Sequence, residues 1–318
     1  MLQTLGTLVE RESPSQDKAA LGRLAQHLAQ EFTRRGGKPT FHPQEKNGPH
    51  LQVEFAAGSG KPLLLLGHYD TVWEMGTLSR MPWRIERERA YGPGVFDMKG
   101  GIVQALFALE TLAGNGRLPR PVMVLLVSDE EIGSDSSRSI TEALAKKASA
   151  VLVLEPAHGL DGACKTARKG VGDFIVRVRG VSAHAGLDFE KGHNAVLELA
   201  RQIERVAGFT ELKRGLTVSP GVVKGGTRGN VVPDLAEVLV DVRIARASDG
   251  ARIEKKFRTL RPQDRQCRVE IEGGINRPPL ERTAAVAGLY ARAREIAREL
   301  GFELKESAVG GGSDGNFT

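Results

Sequence analysis

Cysteine is scarce in this chain, and the little there is makes no site. Cys164 and Cys267 are the only two in 318 residues, far apart and in unrelated contexts. They form neither a disulfide framework nor a CxxC metal site, and read as two free thiols of a reducing compartment. Aromatic residues are scarce as well, at 5%, and no basic run is interleaved with them. The excess of 45 Lys and Arg over 39 Asp and Glu, +6, therefore does not read as a nucleic-acid surface. It reads as an ordinary solvated surface, or as one that draws in small anionic substrates. No apolar run approaches the length of a membrane span. The start, MLQTLGTLVERESPSQ, has no basic segment followed by an apolar one, so the sequence predicts no signal peptide and a cytoplasmic location. Tandem repeats and low-complexity tracts are absent too. The 40% hydrophobic and 26% charged content is that of a soluble globular protein, long enough for two ordinary domains.

The first half alternates buried strands with helices. Residues 15–35 place Leu21, Leu24, Leu28 and Phe32 at helical spacing after a Ser/Asp start. HLQVEF is a short alternating strand, and PLLLLGHYDTV, PVMVLLVSDEE and ASAVLVLEPA read as three buried ones. GGIVQALFALETLAGNG and SRSITEALAKKA are the helices between them. This pattern predicts an α/β fold, a mainly parallel sheet covered by helices on both faces. After about residue 168 the strands alternate polar and apolar residues: GVGDFIVRVRGVSAHAG, LTVSPGVVKGG, AEVLVDVRIAR and CRVEIEGG. With a helix over 194–207, that predicts an inserted α+β domain, an antiparallel sheet with helices on one face. The expected boundaries are 1–168 and 278–318 for the first domain and 169–277 for the insertion. A helix over 279–301 is expected to rejoin the first domain.

The three apolar strands end in groups that resist burial: His68 and Asp70, then Asp129, Glu130 and Glu131, then Glu155. In open α/β sheets ligands bind beyond the carboxyl ends of the strands. Asp97, in the glycine-rich turn YGPGVFDMKGG, is expected to join them. Carboxylates crowded together raise one another's pKa unless a cation sits among them. Oxygen and imidazole donors without cysteine suit a catalytic Zn²⁺, with Mn²⁺ or Co²⁺ as substitutes. In extended chain, residues two apart point the same way. Asp70 can therefore stand behind His68 and accept its second ring N–H, making the other nitrogen a better ligand. Gly67 before them is expected to let the chain turn out of the sheet. Glu130 and Glu131, as neighbours in extended chain, should diverge, one to metal and one to hold a substrate-side proton.

The motifs GHYDTV, YGPGVFDMKGG, SDEEIGS, VLEPA, GVSAHAG, GNVVP with DVR, and GGGSDG occur in one order over nearly the whole chain. In that order they resemble the M20 family of metal-dependent exopeptidases, and within it the glutamate carboxypeptidases. The resemblance implies two zinc ions per subunit: His68 and Glu155 on one, Glu131 on the other, and Asp97 bridging. It implies a cis peptide at Asp97–Met98. Asp70 would orient His68, and Glu130 would be the general base for a metal-activated water. The inserted domain would be a lid through which the protein forms a homodimer. His184 would stabilise the oxyanion of the partner's site, a contribution typically worth about 10²–10³ in rate. Asn230 and Arg243 would meet a substrate carboxylate, and Arg277 would hold the α-carboxylate of glutamate through its two-pronged fork. Gly310 to Gly312 would form a backbone loop near the substrate. His50, His158 and His193 match nothing in the pattern and read as ordinary. Thr318 follows directly on GGGSDGNF, and no histidine follows His193. The resemblance implies a further strand and helix bearing the last histidine ligand of the second zinc, so the sequence reads as C-terminally truncated.

The expected function is thus a zinc-dependent exopeptidase that releases a C-terminal amino acid, glutamate by preference, from a small peptide or N-acyl amino acid. An N-acyl-amino-acid deacylase or a dipeptidase of the same family is the alternative. From another class, a non-catalytic fragment or a dimerisation and binding protein would explain the missing ligand. Neither a nucleic acid nor a membrane is expected as partner.

Overall fold

Period-two alternation along the apolar strands sorts their side chains onto two buried faces. A computed structural model describes residues 1–116 and 118–318. They divide into two compact units, Met1–Ala157 with Phe317–Thr318, and His158–Asn316.

The first unit begins with helices α1 (Leu2–Val9) and α2 (Lys18–Arg34). Asp17 caps α2, its Oδ1 accepting the Ala20 N–H at 2.9 Å, the usual way to satisfy an orphan donor at a helix start. Strands β1 (Lys38–His42), β2 (His50–Phe55) and β3 (Leu63–His68) follow, then a short hairpin of β4 (Arg84–Glu86) and β5 (Arg89–Tyr91). Helix α3 (Gly100–Gly114), strand β6 (Val122–Val127), helix α4 (Arg138–Lys147) and strand β7 (Ala150–Val153) complete it. The sheet order is β1-β2-β6-β3-β7. Its β6, β3 and β7 run parallel, while β1 and β2 add an antiparallel margin. Leu65, Val124 and Leu126 face a core shared with α2 and α3, through Leu21, Leu24, Leu28, Phe32, Ile102 and Leu106. Leu64, Leu66, Met123 and Leu125 face the other side, against Leu144 of α4. Each such side chain contributes roughly 1.5–3 kcal/mol of burial, so a one-residue slip of either strand would reverse both faces. The third apolar strand departs from expectation. β7 is the last strand in the sheet order, and its Leu152 is exposed.

The second unit carries β8 (Cys164–Arg168), β9 (Gly170–Arg179), β10 (Ala183–His184), α5 (Ala195–Ala207), β11 (Thr217–Gly225), β12 (Val231–Val232), β13 (Leu235–Ile244), α6 (Ala247–Arg258), β14 (Arg268–Arg277), α7 (Ala284–Glu299) and β15 (Glu306–Val309). An antiparallel sheet runs β11-β13-β9-β14. Phe174, Val176 and Val178 of β9 and Val238, Val240 and Val242 of β13 pack on Leu199 of α5 and Ile253 and Phe257 of α6. On the other face of β9, Arg177 pairs with Glu237 and Glu272, and Arg179 with Glu270. Both boundaries expected from the sequence, at 168/169 and 277/278, lie inside this unit. The cause is pairing: β8 binds β15 in parallel, and Arg168 and Leu280 exchange backbone hydrogen bonds. Residues 278–316, with α7, are thereby tied to the chain just after residue 158. Among the described residues no helix is long and apolar enough to cross a membrane.

Candidate metal centre

The centre is built where the parallel strands of the first unit end. β3 is paired on one side with β6 and on the other with β7, and His68 stands opposite Val127. The Leu154 N–H donates to Leu66 O at 2.8 Å, which carries Glu155 alongside. Three consecutive sheet neighbours thus deliver His68, the Ser128–Glu131 segment and Glu155 to one edge. The turn Val95–Lys99 brings Asp97 to the same edge, through a cis Asp97–Met98 peptide.

His68 is buried. Its Nε2 lies 3.1 Å from Asp97 Oδ1 and 3.9 Å from Glu155 Oε1. Its Nδ1 faces Asp70, 3.1 Å from the backbone O and 3.3 Å from Oδ1. Donor atoms of His68, Asp97 and Glu131 lie within 4.8 Å of one another, and so do those of His68, Glu130 and Glu155. Burial alone would lower the His68 pKa, but Asp70, Asp97 and Glu130 outweigh it and hold the imidazole well above its ordinary value. Burial, with Asp97, Asp70 and Glu155 nearby, raises the Glu131 carboxyl to about 7. Both shifts describe one deficit: the cluster concentrates negative charge and draws in a positive one. A hard or borderline divalent cation among nitrogen and oxygen donors relieves it, so the residues fit such an ion.

Glu130 and Glu131 do not lie in extended chain. They open a 3₁₀ turn, Glu130–Ile132, in which successive side chains diverge by roughly 120°. The separation is the expected one, from a different backbone. Gly67 departs further from expectation. It lies inside β3, paired with Leu126, and turns nothing. A Cβ there would stand 2.7 Å from Met98 Cε. Its absence makes room for Met98, whose Sδ accepts the His68 N–H at 3.3 Å.

Several supporting residues carry no local signal in the sequence. Ser15, buried, donates to Asp70 Oδ2 at 2.7 Å, and the Glu131 N–H reaches the same oxygen at 3.3 Å. Buried Lys99 donates to Arg11 O at 2.9 Å, with burial pulling its pKa down to about 7. His50, read as ordinary, is fully buried and bonded to Ser128 and Ser136.

The remaining expected site residues lie in the second unit. His184 and Asn230 meet at one small antiparallel pairing of β10 with β12: His184 pairs with Val231, and the Ala185 N–H donates to Asn230 O at 2.9 Å. The Gly186 N–H donates to His184 Nδ1 at 3.1 Å. In the neutral ring this leaves the proton on Nε2, making an exposed, oriented donor. Arg243 donates to Asp241 through Nε and Nη2, at 2.7–3.0 Å, which fixes the plane of its guanidinium. Arg277 Nη2 lies 3.4 Å from Asp314 Oδ1. The Gly310–Gly312 loop is held from behind: Arg168 donates to the carbonyls of Gly311 and Gly312. Asn316 donates to Lys169 O and Pro278 O while its Oδ1 accepts the Ser313 N–H.

Comparison with known proteins gives concordant results. Peptidase family M20/M25/M40 matches residues 64–318. Carboxypeptidase G2 of Pseudomonas sp. (strain RS-16) is 29% identical over 323 aligned residues, spanning 100% of this chain and 78% of that protein. Acetylornithine deacetylase of Myxococcus xanthus is 29% identical over 226 residues, 67% of this chain and 58% of the deacetylase. The M20 family metallo-carboxypeptidase Sso-CP2 of Sulfolobus solfataricus superposes with a TM-score of 0.74 at 20% identity, covering 98% of this chain and 86% of that one.

Proposed function

The chain belongs to peptidase family M20/M25/M40, and from that premise we propose that it is a zinc-dependent exopeptidase. It hydrolyses an amide bond and releases a C-terminal amino acid, glutamate in preference to others. The observation that carries the reading is the convergence of His68, Glu130, Glu131 and Glu155, beyond the ends of adjacent strands, with Asp97 from the Val95–Lys99 turn.

His68, Asp97, Glu131 and Glu155 would hold the metal, two ions in the complete site. When bound, the metal supplies Lewis-acid polarisation of the scissile carbonyl and acidifies water at the site. The chain's own residues do the rest. Asp70, itself fixed by Ser15, holds the His68 ring with Nε2 facing the other ligands. Glu130 takes the proton of the attacking water and returns it to the leaving nitrogen. His184 offers its Nε2–H to the oxygen that becomes negative. Asn230, Arg243 and Arg277 recognise the substrate's carboxylates. The likeness to carboxypeptidase G2 supports an anionic C-terminal product, and the guanidinium forks of Arg243 and Arg277 suit a carboxylate. Residues 169–277 would be the lid, through which two copies associate so that His184 serves the partner's site.

The likeness to acetylornithine deacetylase favours one second reading. The same metal core would then remove an acyl group from an amino acid. A panel of folyl-, peptidyl- and acyl-glutamates, set beside N-acetyl amino acids and dipeptides, separates the two. Release of glutamate from the first group is the expected result. Turnover confined to acetylated amino acids or dipeptides would reject the carboxypeptidase reading.

A further inference from the structure

His50 opens β2 and is fully buried, yet it belongs to no step above. Its two ring nitrogens hold the two ends of one loop. The Ser128 N–H donates to Nδ1 at 3.2 Å, and Ser128 Oγ lies at the same distance while donating to Gly48 O at 2.6 Å. Because Nδ1 accepts a backbone N–H, the neutral ring carries its proton on Nε2. Nε2 lies 3.1 Å from Ser136 Oγ, and Ser136 donates onward to Asp129 Oδ2 at 2.7 Å from Oγ and 2.8 Å from its N–H. Asn47 Nδ2 also reaches Ser136 Oγ, at 3.2 Å. Every donor in this chain therefore has a direction: Ser128 N–H to His50, His50 to Ser136, Ser136 to Asp129. A second ring proton would meet the Ser128 N–H head on, and burial pulls the His50 pKa below its ordinary value.

The loop so clamped runs from the end of β6 to the start of α4, and Glu130 and Glu131 are its working residues. Asp129, the last member of the chain, is the N-cap residue of their 3₁₀ turn, and its carbonyl accepts the Ser134 N–H at 2.8 Å. We infer that His50, acting through Ser136 and Asp129, is a positioning residue that sets the placement of Glu130 and Glu131. The inference rests on the function proposed above. Groups behind metal ligands typically govern affinity by about 10–100-fold, and a connection through two intermediates belongs at the lower end.

The test uses the full chain with His50→Ala, Ser136→Ala and His50→Gln. Zn²⁺ affinity is measured by chelator competition, the Co²⁺ absorption spectrum is recorded, and kcat and KM are determined separately. All are read at a temperature where thermal melts show each variant folded. Ser136→Ala deletes one hydroxyl and leaves the core intact, so it decides the question even if His50→Ala does not fold. About tenfold weaker Zn²⁺ binding, an altered Co²⁺ spectrum and a lower kcat at unchanged KM are expected for the alanine variants. His50→Gln, whose amide can reach Ser136, should recover part of the loss. Affinity and spectrum within twofold of wild type in Ser136→Ala, with any His50→Ala defect confined to stability, would overturn the inference alone. A wild-type chain that takes up no metal would overturn the proposed function and the inference with it.

Discussion

Replacing Gly67 by alanine tests how the centre is held still. The added methyl would lie 2.7 Å from Met98 Cε, 3.3 Å from Met98 Sδ and 3.4 Å from Leu126 Cδ2. Met98 and Leu126 are both fully buried, so the space is shared with no solvent. Overpacking of a filled core costs about 1–3 kcal/mol. The closest neighbour is the flexible end of a methionine, which adapts readily, so the lower half of that range, about 1–2 kcal/mol, applies. At about 2–4 °C per kcal/mol for a unit of this size, calorimetry should show the first unit melting about 2–8 °C lower. A shift of the Met98 end reaches the centre, because its sulfur accepts the His68 N–H and it follows Asp97 directly. Zn²⁺ affinity should therefore fall as well, by about tenfold. A double-mutant cycle isolates the cause. Met98→Ala alone should cost about 2–5 kcal/mol as a cavity, and the methyl that Gly67→Ala introduces should partly fill that cavity in the double variant. The combined cost should fall short of the sum by about 1 kcal/mol or more. Additivity to within about 0.5 kcal/mol, or a Gly67→Ala chain with unchanged melting and metal affinity, would show that Gly67 does not act through Met98.

Glu130→Gln should bind Zn²⁺ as the wild type does and lose about 10²–10⁴ in kcat; near-wild-type turnover would remove Glu130 as the base. His184→Ala should lower kcat by about 10²–10³ with no change in melting temperature, since the side chain is exposed; unchanged kinetics would take it out of the site. Glu198, fully buried in the second unit, accepts the N–H groups of Gln263 and Asp264 and bonds from Gln202 and Arg201. Burial alone would raise its pKa, but these donors outweigh it and hold the carboxyl below its ordinary value. A depressed folded-state pKa gives stability that is complete above the unfolded value of about 4.3 and is lost as pH falls through the folded one. Glu198→Gln should thus cost about 1.5–3 kcal/mol at pH 7 and clearly less at pH 3 in denaturant melts, and an equal cost at both would contradict the assignment.

What the sequence reveals of this molecule follows the range over which its signals act. The α/β class and the antiparallel second sheet are legible because alternation and helical spacing are local. The nearness of Asp70 to His68 is legible because the two are neighbours in the chain, although Asp70 lies just past the end of β3 and meets Nδ1 with its backbone O as well as its carboxylate. Gly67 is misread because its role depends on Met98, which comes much later in the chain and meets it only after folding. Ser15 reaches Asp70 across 55 residues, and nothing around either one announces the other. His50 looks ordinary in GPHLQ because its partners come from the far end of another strand. β7 reads as buried because its composition is apolar, whereas its place at the sheet margin is a matter of topology. The tie between β8 and β15, which brings Thr166 to Glu306 across 140 residues, escapes any reading of composition along the chain.

If divalent metal held by His68 and its carboxylates drives amide hydrolysis, removing the metal must abolish it. The chain is stripped with chelator, assayed for release of glutamate from N-acyl-glutamates by mass spectrometry, then assayed again after Zn²⁺ is returned. The stripped chain should release none, Zn²⁺ should restore release, and His68→Ala should not recover. Release that survives stripping, or a Zn²⁺-loaded wild-type chain that cleaves no amide, would contradict metal-driven hydrolysis.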